Sequence, residues 1–228
     1  MFRLIDALRS KTWACLFVIF LRYLIGGAFV YAGWGKALGG RFMPAGTLQL
    51  PPDHGISIDL FFEALYRTGI WWNFLGVGQV IAGALLVTQR FATLGAVAFL
   101  PISLNVFVIT ISMDFHFTPV LTGLIVAANL GLLLWDYQKI APLFYPNRAG
   151  EMLIQLRSDQ LGSPGYWQGL GLLILLTSSL FGNRENALVW FPLCLAEGLL
   201  GLVGFFIVNR RQQKCNPDFR AGKPNNNL

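Results

Sequence analysis

The sequence contains little charge: 12% of its 228 residues are Asp, Glu, Lys or Arg, whereas 55% are hydrophobic. Soluble domains carry about 25% charged residues, so this composition excludes an ordinary soluble domain and predicts an integral membrane protein. The formal net charge is +6, but the basic residues are spread over short segments between apolar runs. They form no aromatic-interleaved patch, which argues against nucleic-acid binding. The positive-inside rule explains the charge better.

Cysteine and histidine are also scarce. The three cysteines, Cys15, Cys194 and Cys215, form no Cys-x-x-Cys pair, so the sequence predicts neither dithiol chemistry nor a disulfide framework. The two histidines, His54 and His116, are too few for a metal centre, which needs about three or four ligands. The sequence also lacks a recognisable serine triad, phosphate-binding loop, haem motif or pair of catalytic carboxylates. It therefore assigns no catalytic residue and no metal.

Long apolar runs are what the sequence does contain. The first, about residues 13–38, carries Arg22 and Lys36, and Gly26, Phe29 and Gly33 share a helical face with these two cations. A cation that faces lipid costs about 3 kcal/mol or more at the bilayer centre. We therefore expect this face to pack against protein, where the glycines let a neighbouring backbone approach closely.

The apolar runs predict an all-α polytopic membrane bundle with both termini in the cytoplasm. The predicted spans are about 13–38, 70–87, 92–113, 118–134, 166–181 and 187–208. Lys and Arg are concentrated in the segments that this topology leaves inside. The segment 166–181 is barely long enough to span, so whether it crosses fully stays open.

The segments outside the spans have different predicted roles. They are a cytoplasmic lead-in (1–12), an outer loop with an amphipathic helix (40–69), a cytoplasmic connector (138–165) and a basic cytoplasmic tail (209–228). The amphipathic helix has three possible positions: on the membrane surface, over the bundle as a lid, or packed against its own domain. We favour the last.

Five polar residues come out near the middle of their predicted helices and predict one shared polar layer inside the bundle. They are Arg22, Gln79, Asn105, Asn129 and Glu197. Arg22 and Glu197 are the only opposite charges at that depth, so we expect them to pair directly or through Gln79 or an asparagine. For Asn105 and Asn129 we favour structural hydrogen bonds between helices, each worth about 1 kcal/mol. A ligand or proton site is as plausible as a structural role for Arg22 and Glu197.

Two further sets of residues stand out. The first is a polar cluster expected at the outer ends of the helices: Tyr31, Lys36, Asp114 and His116. Lys36 and Asp114 lie at matching depth in it and could pair. The second is a set of glycines expected at helix contacts: Gly26, Gly33, Gly83, Gly201 and Gly204.

Residues Arg22 to Lys36, with Phe29 and Gly33 between them, resemble the opening helix of the DoxX family of small bacterial membrane proteins. Residues 78–96 are similar to the second helix, turn and third helix of that family, and the resemblance covers about residues 13–137. It implies a four-helix core in the bacterial cytoplasmic membrane and an association with redox functions. Some members are subunits of a thiosulfate:quinone oxidoreductase, and others belong to oxidant-defence complexes.

Two features depart from the family. Gln79 stands where many relatives carry a glutamate, so a carboxylate role is absent there or has passed to Glu197. The two helices that follow Gly165 are additional to the usual core, and they either complete it or dock a partner.

Three functions are therefore open. The first is a membrane subunit of a redox system, with a polar pocket near Arg22, Gln79 and Glu197 that holds a quinone or a similar lipid-like molecule. The second is a non-catalytic scaffold or assembly subunit. The third is a small-solute or proton pathway, which the lack of internal repeats does not support. Membrane lipids, and a protein partner or a second copy, are the expected partners. A polar layer closed off by side chains would favour the scaffold.

Overall fold

The computed structural model describes residues 2–43, 57–113, 115–144, 164–181 and 187–215. Within these ranges the chain forms nine helices. In chain order they are α1 (Phe2–Arg9), α2 (Thr12–Ala37), α3 (Ile58–Arg67), α4 (Ile70–Val87), α5 (Ala92–Ser112), α6 (Thr118–Trp135), α7 (Tyr137–Phe144), α8 (Pro164–Leu180) and α9 (Ala187–Cys215).

Five of the described helices are long and apolar enough to cross a membrane: α2, α4, α5, α6 and the part Leu188–Val208 of α9. The predicted all-α membrane bundle is thus confirmed. Helix α8 has 17 residues and measures about 25 Å at 1.5 Å per residue. A typical hydrocarbon core is about 30 Å thick, so the described part of α8 is shorter than a full span.

Helix α2 is the centre of the bundle and packs tightly against α4. A Cβ atom built on Gly26 would lie 2.7 Å from the carbonyl oxygen of Gly83, and one built on Gly33 would lie 2.8 Å from that of Gly76. The two glycines of each helix are seven residues apart, which keeps them on one side of the helix over two turns. The backbones can touch at both points only because no side chain intervenes.

The remaining helices pack around this pair. On one side, Phe29 of α2 meets Phe99 of α5 edge to face, with ring centres 4.2 Å apart. On the other side α8 approaches α2, and the hydroxyl of Tyr23 donates a hydrogen bond of 2.6 Å to the carbonyl oxygen of Trp167. Helix α9 packs on α8, where the Tyr166 hydroxyl donates to the carbonyl oxygen of Gly201.

The amphipathic helix predicted in the outer loop is α3, and it packs against its own domain. The ring of Phe62 stacks on Phe42 at 4.1 Å and contacts Trp72, the buried residue at the start of α4, at 6.3 Å. The carboxylate of Glu63 accepts hydrogen bonds from Arg41 at 2.8 Å and from Arg67 at 2.9 Å. Aromatic contacts and the Arg41–Glu63 ion pair therefore hold α3 to the bundle, whereas the Arg67–Glu63 pair lies within α3.

The docking of α3 should depend on pH. Hydrogen bonding from Arg67, opposed in part by burial and reinforced by the charge of Arg41, lowers the pKa of Glu63 below its ordinary value of 4.5. Because the pKa is lower in the folded chain, this stabilisation is present above pH 4.5 and is lost as pH falls through the lowered pKa. The wild type should melt at a higher temperature than Glu63→Gln near neutral pH, and the difference should vanish in acid. A difference that stays constant across this range would contradict the role of Glu63.

Candidate functional site

Arg22 of α2 lies in a closed polar cluster at the end of the bundle that holds the α4–α5 turn; we call this end the turn end. Its guanidinium donates to Asp136 Oδ2 at 2.7 Å and to Gln89 Oε1 at 3.1 Å. The hydroxyl of Thr93 donates to the same Asp136 oxygen at 2.9 Å. The side chains of Arg22 and Asp136 are only 3% and 1% exposed, so the pair is shielded from its surroundings.

This pair corrects the predicted partner of Arg22. Arg22 pairs with Asp136 and not with Glu197, so that prediction is wrong. The reason is depth: Asp136 directly follows the last residue of α6, and Arg22 reaches it at the turn end rather than at the middle of the bundle. A carboxylate at the end of an apolar run is typical of an exposed interfacial residue, and the sequence pattern gave no sign that this one is buried.

The local backbone conformation orients the side chains around Arg22. Gln89 has φ = 57°, a left-handed conformation that is uncommon for a residue other than glycine, and it directs its amide towards Arg22. On either side of Asp136, the rings of Trp135 and Tyr137 contact the guanidinium of Arg9, at 5.8 and 4.9 Å from the ring centres. Helix α1 is thus held against the turn end, next to the buried pair.

Gln79 belongs to a second, separate cluster. Its Oε1 atom accepts a hydrogen bond of 2.9 Å from Lys36, whose Nζ also lies 5.6 Å from the ring centre of Trp72. The two cations of α2 are thus each held by an amide of the α4 region, Arg22 by Gln89 and Lys36 by Gln79. The prediction of one shared layer is wrong, because the polar residues are divided between the two ends of α2.

The two asparagines of the predicted layer lie in different environments. Asn129 is fully buried and donates to the carbonyl oxygen of Ala96 at 3.2 Å, which ties α6 to α5. Asn105 is exposed on the outside of α5. An interior position for Asn105 is therefore wrong. Apolar residues lie on all sides of α5, so the sequence pattern could not tell the outer face from the inner one.

Glu197 lies between α8 and α9, where its Oε1 atom accepts a hydrogen bond from the hydroxyl of Thr177. The salt bridges found among the described residues do not include Glu197. Its Oε2 atom is buried and has no hydrogen-bond partner in the described part of the chain. Glu197 is therefore a polar contact between the two last helices.

The residues of the predicted outer cluster have different neighbours. Tyr31 stacks on Trp190 of α9 with ring centres 4.3 Å apart, whereas Lys36 turns to α4. His116 is exposed in the α5–α6 turn, with φ = 45°. Asp114, the predicted partner of Lys36, lies outside the described residues. Among the residues that are described, no three His, Cys, Asp or Glu side chains are grouped as metal ligands would be.

A side cavity of about 460 Å³ lies between α2, α8 and α9. Its wall is almost entirely apolar, and aromatic rings supply much of it: Phe17, Phe20, Tyr23, Trp190 and Phe191. Leu24 and Leu195, which also line it, are 58% and 55% exposed, so the rim of the cavity lies on the outer surface of the bundle. The cavity thus opens where membrane lipid would surround the helices.

The sequence pattern gives no sign of this cavity. Two of its wall residues are glycines, Gly27 on α2 and Gly198 on α9. Their missing side chains help to leave the space, but glycine in a membrane helix also indicates close packing. Arg22, Gln79 and Glu197, the expected pocket residues, are not part of the wall. Asp136, Gln89 and Thr93, which surround Arg22, were not predicted as site residues either.

The chain is similar to a bacterial protein and belongs to the same family. The uncharacterized protein YwoB of Bacillus subtilis (strain 168) is 31% identical over 143 residues, which are 62% of this chain and 88% of that protein. No family model matches the sequence. No solved structure matches it either.

Proposed function

We propose that this chain, which belongs to the same family as YwoB of Bacillus subtilis, is a membrane subunit that holds a quinone or another lipid-like molecule in its side cavity. The cavity carries the proposal. Its volume of about 460 Å³ falls within the range of about 300–1,000 Å³ of small-molecule sites, which are lined mainly by apolar and aromatic side chains. An isoprenoid or acyl chain matches such a wall and can enter from the membrane.

The redox part of the proposal rests on the resemblance of residues 13–137 to the DoxX family. That resemblance also supports a bacterial cytoplasmic membrane location, and the Lys and Arg distribution supports cytoplasmic termini. The chain would act by binding and presenting the molecule. Electrons would be carried by the bound quinone or by a partner protein.

A second candidate, a non-catalytic scaffold, is favoured by one observation. Arg22 and Asp136 are closed off by side chains, and a closed ion pair fixes helices relative to each other without meeting a ligand. A small-solute or proton pathway has less support, because the polar residues form separate clusters rather than a continuous line through the bundle.

Filling the cavity should abolish binding. In Gly198→Leu, the new side chain would meet Phe20, since even a Cβ atom would lie 3.3 Å from that ring, and both residues line the cavity. A lipid-like molecule at about 100 times its Kd stabilises the folded state by about 2.7 kcal/mol. We therefore expect an isoprenoid quinone in mixed micelles to raise the melting temperature of the wild type but not of Gly198→Leu.

Gly131→Leu is the matched control. Gly131 lies in α6 and is exposed, and a Cβ atom there would meet nothing within 4 Å. This variant should keep the full rise in melting temperature. An equal rise in Gly198→Leu and in the wild type would show that the molecule does not bind in the side cavity. A rise with an acyl lipid but none with a quinone would place the chain among general lipid-binding proteins and remove the redox part of the proposal.

A further inference from the structure

Asn105 is a polar residue on an otherwise apolar part of the outer surface of the bundle. It is exposed, and it lies near the middle of α5, which runs from Ala92 to Ser112. In the described parts of the five long helices, the other exposed positions near the middle are apolar. Asn105 is therefore the polar side chain that this surface would present to the hydrocarbon region.

The amide of Asn105 needs hydrogen-bond partners that lipid cannot supply. The side chain carries two N–H donors and one carbonyl acceptor, and within the described part of the chain it makes no side-chain hydrogen bond. The bilayer core offers no water, so each unsatisfied group there costs free energy. Lys and Arg side chains near a helix end can extend to the headgroup region, but a short asparagine side chain near the middle of a helix cannot.

The residues around Asn105 form a continuous apolar face on α5. Its exposed members recur at alternating three- and four-residue spacing: Leu94, Val97, Pro101, Leu104, Val108 and Ile111. The leucine, valine and isoleucine side chains among them are between 46% and 57% exposed. This spacing suits the packing of two helices side by side at a small crossing angle. The face therefore supplies the apolar surroundings in which a hydrogen bond from Asn105 would be strongest.

We propose that this face of α5 joins two copies of the chain, with Asn105 of each copy hydrogen-bonded to Asn105 of the other. The hydrogen-bonding groups of Asn105 favour a second copy of the chain as the partner. An amide is complementary to itself, since its N–H groups can donate to the carbonyl of an identical amide. Two copies inserted in the same orientation place Asn105 at the same depth, and a two-fold axis along the membrane normal then brings the same residues together.

The test is energy transfer between fluorescently labelled copies in lipid vesicles, measured as the protein is diluted with lipid. The wild type should associate, and Asn105→Leu should raise the dissociation constant about tenfold. Asn105→Gln should stay close to the wild type because it restores the amide. Gln168→Leu removes another exposed amide, on α8, and should change nothing. A wild type that is monomeric at every dilution, or an Asn105→Leu variant that associates as tightly as the wild type, would overturn the proposal.

The position of the contact needs its own measurement. In a chain whose native cysteines Cys15, Cys194 and Cys215 are replaced by alanine, Val108→Cys should form a disulfide-linked dimer on mild oxidation. Leu124→Cys, on the exposed surface of α6 at 63% exposure, should form little. Cross-linking at position 124 and not at 108 would place the interface on another face and contradict the role of Asn105.

Discussion

Replacing Asp136 with alanine is expected to lower the free energy of unfolding by about 3–5 kcal/mol, because the variant leaves a buried charge without its partner. Arg22 is 3% exposed and has no route to water that would let it regain its hydration. Of its guanidinium contacts, only the hydrogen bond of 3.1 Å that it donates to Gln89 Oε1 would remain. The measurement is reversible unfolding in mixed micelles.

Two further variants separate the effect of the unpaired charge from a general loss of stability. The double variant Arg22→Met/Asp136→Leu removes both charges and should be more stable than Asp136→Ala, since a buried ion pair can be replaced by apolar residues at little or no cost. Arg67→Ala breaks an ion pair whose arginine is 70% exposed and should cost about 1 kcal/mol or less. If Asp136→Ala and Arg67→Ala lose similar amounts, the buried pair is not the main connection between α2 and α6.

Gly83→Ala should also lower the free energy of unfolding, in this case because it overpacks the contact between α2 and α4. A Cβ atom on Gly83 would lie 2.6 Å from the carbonyl oxygen of Gly26 and 3.0 Å from the Val30 side chain. Since the first of these atoms belongs to a backbone, α2 and α4 would have to separate along their whole contact. Forced overpacking of this kind costs about 1–3 kcal/mol and sometimes more; we expect the upper end.

The control is the same substitution at a site without neighbours. Gly131→Ala should change stability by about 1 kcal/mol or less, and in the opposite direction, because alanine favours the helix over glycine. Equal losses at the two positions would mean that α2 and α4 are farther apart than the glycine contacts indicate.

Patterns that depend on nearby residues could be predicted from the sequence. The helices follow from the apolar runs, and the glycine face of α2 follows from residues that recur every seven positions. That Arg22 and Lys36 are turned towards protein follows from the cost of a cation in lipid. Each of these inferences uses only the spacing along one helix.

Partners across the bundle could not be predicted in the same way. The depth of Arg22 was estimated from the centre of a run that begins at residue 13, whereas its partner lies at the end of α6. The side cavity depends on how α9 lies relative to α2, and that position is set by contacts of α9 with α8 and by the stacking of Trp190 on Tyr31. Periodicity along a single chain segment carries no information on either point.

The side-cavity proposal is tested most directly by mass spectrometry of the apolar molecules that stay with the gently purified protein. The wild type and Gly131→Leu should retain the same lipid-like molecule, a quinone if the redox part of the proposal is right. Gly198→Leu should have lost it while unfolding at a temperature close to that of Gly131→Leu. Equal retention by all three proteins, or retention by none of them, would contradict the side cavity as the binding site.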